Sequence, residues 1–251
     1  MPRSPSVMAF KSTNVTRMLM IAAICFYVQS RHVNTQRVPK DKVVVGFYEE
    51  SLCPYCAQFT TKVAAPLFEN GLSDYIDFEL IPYGNAKNTS EGLVCQHGEA
   101  ECRLNRVFAC AIDQAKQQED WFPFIACVEG KFGPDIEDGV ESCADAAGLD
   151  YPDLTDCATG EKGDALERAA ADATDALVPR HQYVPWVTVN GIPLLDDYAN
   201  LKTYICVALQ ENSRPDVCFE SSALRGSNAD KSYRSISWLK RVEMALLSAF
   251  G

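Results

Sequence analysis

Downstream of an apolar stretch near the N-terminus, the first run of strand length is "KVVVGFY", residues 42–48. It is β-branched and aromatic with few polar interruptions, which predicts a strand covered on both faces. A helical pattern follows, with Cys56, Val63, Ala64, Leu67 and Phe68 on one stripe and Thr60 filling its gap. Pro54 suits the first helical position, Pro66 predicts a kink, and Asn70-Gly71 marks the stop. In "YIDFELIPYG", residues 75–84, Ile76, Phe78 and Leu80 alternate with Asp77 and Glu79, which predicts a second strand.

From about 85 to 160 the chain carries six cysteines and several short helical patterns, with no strand pattern. Leu166, Ala169, Ala170, Ala173 and Leu177 then mark one face of a helix over 164–178, ended by Pro179. "YVPWVTVNGIPLL", residues 183–195, reads as a proline, a strand, an Asn-Gly turn and a short returning strand. A helix over about 197–210 closes the pattern. This order is that of an α/β thioredoxin-like fold with a cysteine-rich helical insertion, about 85–160, after the second strand. Such folds open the third strand with a cis-proline beside the active cysteines, and Val184-Pro185 occupies that place. An ordinary trans proline at the start of an edge strand is the alternative. Residues 219–251 begin polar and end with Ile236, Leu239, Val242, Leu246 and Phe250 at helical spacing, a packing helix or a removed propeptide.

Composition adds a compartment. The 251 residues have a formal charge of −11 and no basic stripe, which argues against nucleic acid as a partner. Arg3, Lys11 and Arg17 precede "MLMIAAICFYV", residues 18–28, and no acidic residue occurs before Asp41. This is the make-up of a secretory signal peptide over 1–30, cut after Ser30, with an uncleaved anchor as the alternative. Eleven apolar residues fall short of the about 20 that span a bilayer, so no membrane span is expected in the mature chain. Removing residues 1–30 leaves 20 basic and 34 acidic residues, a charge of −14. Of eleven cysteines Cys25 lies in that segment, leaving an even ten, which in an exported chain suggests disulfides. "NTS" at Asn88 is then a usable glycosylation site, whereas "NVT" at Asn14 lies upstream of the cut.

The chemistry concentrates in "EESLCPYCAQF", residues 49–59. A Cys-x-x-Cys beside a βαβ pattern is a redox signature. Cys53 falls at a helix N-terminus, whose unpaired N–H groups favour a thiolate, so it is the expected nucleophile, with Cys56 one turn in as the resolving thiol. An unperturbed thiol is ionised to only about one part in 3,000 near pH 5, and a pKa near 5 would raise that about a thousandfold. Zinc needs more ligands than the sequence groups together, since there is no second Cys-x-x-Cys and His32, His97 and His181 are scattered. No metal or cofactor is expected. A purely structural Cys53–Cys56 bridge would close too small a loop to restrain the unfolded chain. Glu49 and Glu50 could relay a proton to Cys56, but a solvated loop charge is the simpler expectation. Val184 could offer its backbone to an extended substrate.

A second motif carries a resemblance. "CQHGEAECRLNRVFAC", residues 95–110, fits CQHG-x2-EC-x2-N-x4-C at all eight specified positions. It resembles the signature of the gamma-interferon-inducible lysosomal thiol reductase (GILT) family, in a plant or invertebrate-type member, and "FYEESLCPYC" resembles that family's active-site strand. The resemblance runs over about 42–218. It implies a thioredoxin-like domain that reduces disulfides of protein substrates through Cys53 and Cys56. The reaction would take place at acidic pH in a lysosome or vacuole, or outside the cell, with a small-thiol or protein reductant. A secreted, disulfide-stapled binding scaffold is the rival reading. On a continuous helix Cys95, Cys102 and Cys110 would share a stripe within about 80° and could not pair with one another. Their expected partners are Cys127, Cys143 and Cys157, with Cys206 and Cys218 paired together. His97, Glu101 and Asn105 read as caps and buried hydrogen-bond partners, and whether His97 reaches the thiols stays open.

Overall fold

A computed structural model describes residues 42–90, 92–134 and 136–219. The expected signal peptide and most of the expected C-terminal tail lie outside these residues. Strand β1 is Val43–Glu49 and β2 is Ile76–Pro82, and the two pair in parallel from Val43↔Ile76 to Glu49↔Pro82. Parallel neighbours need a crossover. Here helix α1 (Pro54–Phe59), a widened π turn (Thr60–Ala64) and α2 (Ala65–Glu69) supply it. The widening sits just before Pro66, which has no N–H to give to the preceding turn. The kink anticipated at this proline therefore takes the form of a π turn. Strand β5 (Trp186–Val189) runs antiparallel to β1, and β6 (Ile192–Pro193) returns beside it after the Asn190-Gly191 turn. The sheet order β2-β1-β5-β6 places β1 inside, and it is buried along most of its length. A βα-crossover joined to an antiparallel hairpin around a central first strand is the thioredoxin-like arrangement.

Between β2 and β5 lies the insertion. It opens with a small exposed hairpin, β3 (Lys87–Thr89) and β4 (Gly92–Val94), where no strand was expected. These three-residue strands carry no apolar alternation to betray them. Asn88 is exposed on this hairpin. Helices α3 (Glu99–Ala115), α4 (Gln118–Gly130), α5 (Val140–Ala147), α6 (Tyr151–Thr159) and α7 (Glu161–Asp175) follow. A 3₁₀ turn over Leu195–Asn200 leads into α8 (Leu201–Ala208), so the last helix starts later than its pattern suggests.

The insertion joins the core of the sheet domain. Phe68 stacks on Phe122 of α4 with ring centroids 3.8 Å apart, and Phe78 of β2 meets both Phe122 and Trp121. Fully burying such a side chain is worth roughly 1.5–3 kcal/mol. Gln118, at the start of α4, also closes the free edge of β2. Its Oε1 accepts the Phe78 N–H at 2.7 Å, while its Nε2 donates to Ser73 and Ile76 carbonyls. An otherwise open strand edge is thereby covered.

The cysteines correct one expectation. Cys95 bonds to Cys102, not to a facing segment. The assumption of one continuous helix fails because α3 starts only at Glu99, after a turn through Gly98 at φ +88°. Freed from the helix, Cys95 folds back onto the first turn. Cys110 pairs with Cys157, Cys127 with Cys143, and Cys206 with Cys218. Cys53 and Cys56 are free thiols.

Candidate active site

Strand β1 ends at Glu49, and four residues later Cys53 caps α1 with extended backbone (φ −87°, ψ 118°). Pro54 takes the first helical position, so the N–H it lacks is one that would have gone unpaired. The Cys53 sulfur accepts the Cys56 N–H at 3.4 Å. Its thiol pKa is lowered to about 7: the Cys56 thiol donates to it, burial opposes, and the N–H groups of Cys56 and Tyr55 add to the lowering. Cys56 is fully buried, and burial, followed by the bond to Cys53 and the charge of Glu49, pushes its thiol well up. Two chemically identical side chains three residues apart are therefore split into one that ionises readily and one that holds its proton. The lowering of Cys53 stops near 7, so well below that pH it gives about a hundredfold more thiolate than a pKa of 9, not the thousandfold entertained above.

The third strand delivers its proline to this place. The Val184–Pro185 bond is cis, both residues are buried, and the Val184 carbonyl lies 4.0 Å from the Cys53 sulfur. Tyr55 stands exposed between the two cysteines. Tyr198 packs edge-on to Phe59, and its hydroxyl pKa is raised by burial and then by Cys56 and Cys53. Nothing in its local pattern singled out this tyrosine.

Glu49 and Glu50 are buried at 1% exposure each, not solvated loop charges. The reason is the cover that later segments lay over them. Gly84, at φ +58°, packs so close that a Cβ there would collide with the Glu50 side chain. Glu50 accepts the Asn85 N–H at 2.8 Å, while neither oxygen of Glu49 has a hydrogen-bond partner. Glu129 of α4 is likewise buried with both oxygens unpartnered. Burial pushes the pKa of both acids well up; the charges of Cys53, Glu50 and Glu101 add to it at Glu49, and those of Glu49 and Cys53 at Glu129. The two therefore hold protons behind the cysteine pair. Glu129 escaped the sequence reading, although it follows Phe122 by seven residues and Ile125 by four, in register with the buried face of its helix.

His97 is partly exposed and sits between carboxylates. Its Nδ1 pairs with Glu101 and lies 3.6 Å from Glu50. Burial alone would lower its pKa, but the bond to Glu101 and the charges of Glu101, Glu50 and Cys53 raise it overall. Among the described residues Glu50, His97 and Glu101 form a group whose donor types could suit a cation, with one atom of each within 4.8 Å of the others. Here the imidazole itself stands where a cation would balance the two acids.

The family model "Gamma interferon inducible lysosomal thiol reductase (GILT)" matches residues 44–147, which hold both the cysteine pair and the 95–110 motif. The chain is 36% identical over 205 residues to the gamma-interferon-responsive lysosomal thiol protein of Arabidopsis thaliana, covering 80% of this chain and 85% of that one. It belongs to the GILT family. A second GILT relative, the gamma-interferon-inducible lysosomal thiol reductase of Mus musculus, is 37% identical over 186 residues, covering 72% of this chain and 73% of that one. Among solved structures, oxidised BdbD from Bacillus subtilis matches with a TM-score of 0.49 at 15% identity, over 65% of this chain and 85% of that one. Among the described residues of this GILT family member, no helix is long and apolar enough to cross a membrane.

Proposed function

We propose that the protein reduces disulfide bonds of protein substrates by thiol–disulfide exchange through Cys53 and Cys56, in an acidic compartment of the secretory pathway or outside the cell. The observation that carries this reading is the split between the two thiols, Cys53 lowered and Cys56 raised within one helical turn.

In the forward direction the Cys53 thiolate attacks one sulfur of the substrate, that S–S bond breaks, and the departing sulfur leaves as a thiolate that takes a proton from solvent. Cys56 then gives up its proton and attacks the Cys53 sulfur. The second substrate sulfur is released, and Cys53–Cys56 becomes the disulfide. The substrate has gained two electrons and the enzyme has lost two, which a small thiol or a protein dithiol restores. The Cys56 proton goes to the departing second sulfur, since Glu49 already holds a proton of its own at acid pH. The Val184 backbone offers an extended substrate a short β-pairing, with Pro185 buried behind it and exposed Tyr55 beside it. Entry to the compartment would follow from a signal peptide over residues 1–30, with Asn88 as a glycan acceptor.

The test is reduction of a model protein disulfide at pH 4.5–5.5 and at pH 7 by the wild type and by Cys53→Ser. The substituted enzyme is expected to be inactive at both. Full activity in it would refute the mechanism. The rival binding scaffold has no use for two free thiols held at opposite ends of their ionisation range.

A further inference from the structure

The CQHG-x2-EC-x2-N motif is longer than a disulfide requires, and the structure gives each specified residue a place. Cys95 and Cys102 close a loop over the start of α3. Gln96 accepts the Asn85 side-chain amide at 2.7 Å. Gly98 turns the backbone at φ +88°, a region that disfavours other residues. Asn105 Oδ1 accepts the Ser51 N–H at 2.9 Å, and the Glu101 carbonyl accepts the Ser51 hydroxyl at 3.3 Å. The Glu101 carboxylate holds His97 through both its backbone N–H and its ring, and the ring faces Glu50. Glu50 in turn accepts the Cys53 N–H through its carbonyl at 3.1 Å. The motif thus grips Glu50 and Ser51, two of the three residues between β1 and Cys53.

We propose that His97 is a positioning residue of the exchange reaction: as an imidazolium between the buried carboxylates of Glu50 and Glu101 it locks the loop over residues 50–53, and its charge favours the Cys53 thiolate. The grip is complete only while His97 is protonated, so it works at acid pH. Loss of that proton leaves two buried acids facing each other across a neutral ring, and their repulsion loosens the loop. The groups acting on His97 are Glu101 of α3, Glu50 after β1 and Cys53 before α1. At Glu50 burial raises the pKa, the Asn85 N–H lowers it, Glu101 raises it and His97 lowers it, with a net raise. Glu49 faces Cys53, Glu50 and Glu101, whose charges add to the raising of its pKa by burial, and its own charge raises the Cys56 thiol. Because the Cys53 thiolate raises the His97 pKa, the His97 charge must lower that of Cys53 by the same coupling.

The inference rests on the exchange chemistry proposed above, and the experiment separates the two. The alkylation rate of Cys53 by iodoacetamide is followed from pH 4.5 to 8.5 by mass spectrometry of its peptide, in the reduced full-length wild type and in His97→Gln. At pH 5 the variant is expected to react about three- to tenfold more slowly. The two rates should converge near pH 8.5, where Cys53, with a pKa of about 7, is almost wholly thiolate in both proteins. Equal rates at pH 5, or the same loss at every pH, would overturn the proposal. The second outcome is what simple packing damage produces. As a measurement free of any variant, the His97 ring is titrated by NMR in the reduced wild type and in the Cys53–Cys56 disulfide form. Its pKa should fall on oxidation, and an unchanged value counts against the coupling. A wild-type Cys53 no more reactive at pH 5 than free cysteine overturns the exchange mechanism itself. A reactive Cys53 indifferent to residue 97 overturns only the clamp.

Discussion

The backbone N–H of Ser51 donates to the side-chain oxygen of Asn105 at 2.9 Å, across 54 residues of chain. This bond joins the loop before Cys53 to the first long helix of the insertion, and both partners are buried. Replacing Asn105 by Ala would leave a buried N–H without an acceptor. A cost of about 1–3 kcal/mol is expected, read as a lower midpoint in urea unfolding with an unchanged slope. A loss below about 0.5 kcal/mol would mean that water or another group replaces the bond.

The two thiols should fail differently. Cys53→Ser is expected to abolish disulfide reduction. Cys56→Ser leaves attack intact and removes resolution, so it accumulates mixed disulfides with substrate, visible as mass adducts on Cys53 that dithiothreitol releases. Adducts on Cys56 in Cys53→Ser, at a comparable rate, would reverse the assignment.

Glu49 and Glu129 predict an acid-tolerant fold. Both hold a proton in the folded protein over a pH range where the unfolded chain has lost it, because their pKa values are raised. The stability they allow is fully present below the unfolded value near 4.5 and is lost as pH climbs towards their folded values. Glu50 is raised by burial too, so over pH 4.5–6 the three buried acids act in the same direction. The wild-type melting temperature should fall across that window by on the order of 5 °C, and Glu129→Gln should flatten the slope. A melting temperature that rises over the same range would contradict the buried, protonated state.

Disulfide removal should be graded by the length of chain enclosed. The Cys110–Cys157 bond spans 47 residues and Cys95–Cys102 spans 7. On chain entropy alone their loss costs about 4 and about 2.4 kcal/mol respectively. Paired Cys→Ser variants at each bridge, compared by denaturant unfolding, test the order. The shorter bridge should instead show its effect in the reactivity of Cys53, because it closes the loop that holds His97.

What could be read from the sequence follows physical rules of short range. The run of β-branched residues from Val43, the alternation from Ile76 to Leu80 and the Asn190-Gly191 turn are local signals, and each became the element its pattern implies. Cys53 at a helix start is also local. The burial of Glu49 and Glu50 is not, because it depends on Gly84, Asn85 and Glu129 arriving from distant parts of the chain. A pair of charged letters before a Cys-x-x-Cys reads as solvent-facing until those segments are placed. The Cys95–Cys102 pairing was missed for a different reason. Residues 95–98 precede the helix, so helical spacing does not govern Cys95, and the start of a helix is the feature that pattern alone marks least sharply.

Each of the four bridges among the described residues keeps at least one sulfur-bearing residue out of solvent: Cys95 with Cys102, then Cys110, Cys143 and Cys206. A catalyst that opens such bonds in other chains is surrounded by copies of itself at every concentration at which it works. Attack needs an approach along the S–S axis, and packing around the inner sulfur denies that line to an incoming thiolate. Burial of these sulfurs thereby shields each folded copy from the thiolate of its neighbours.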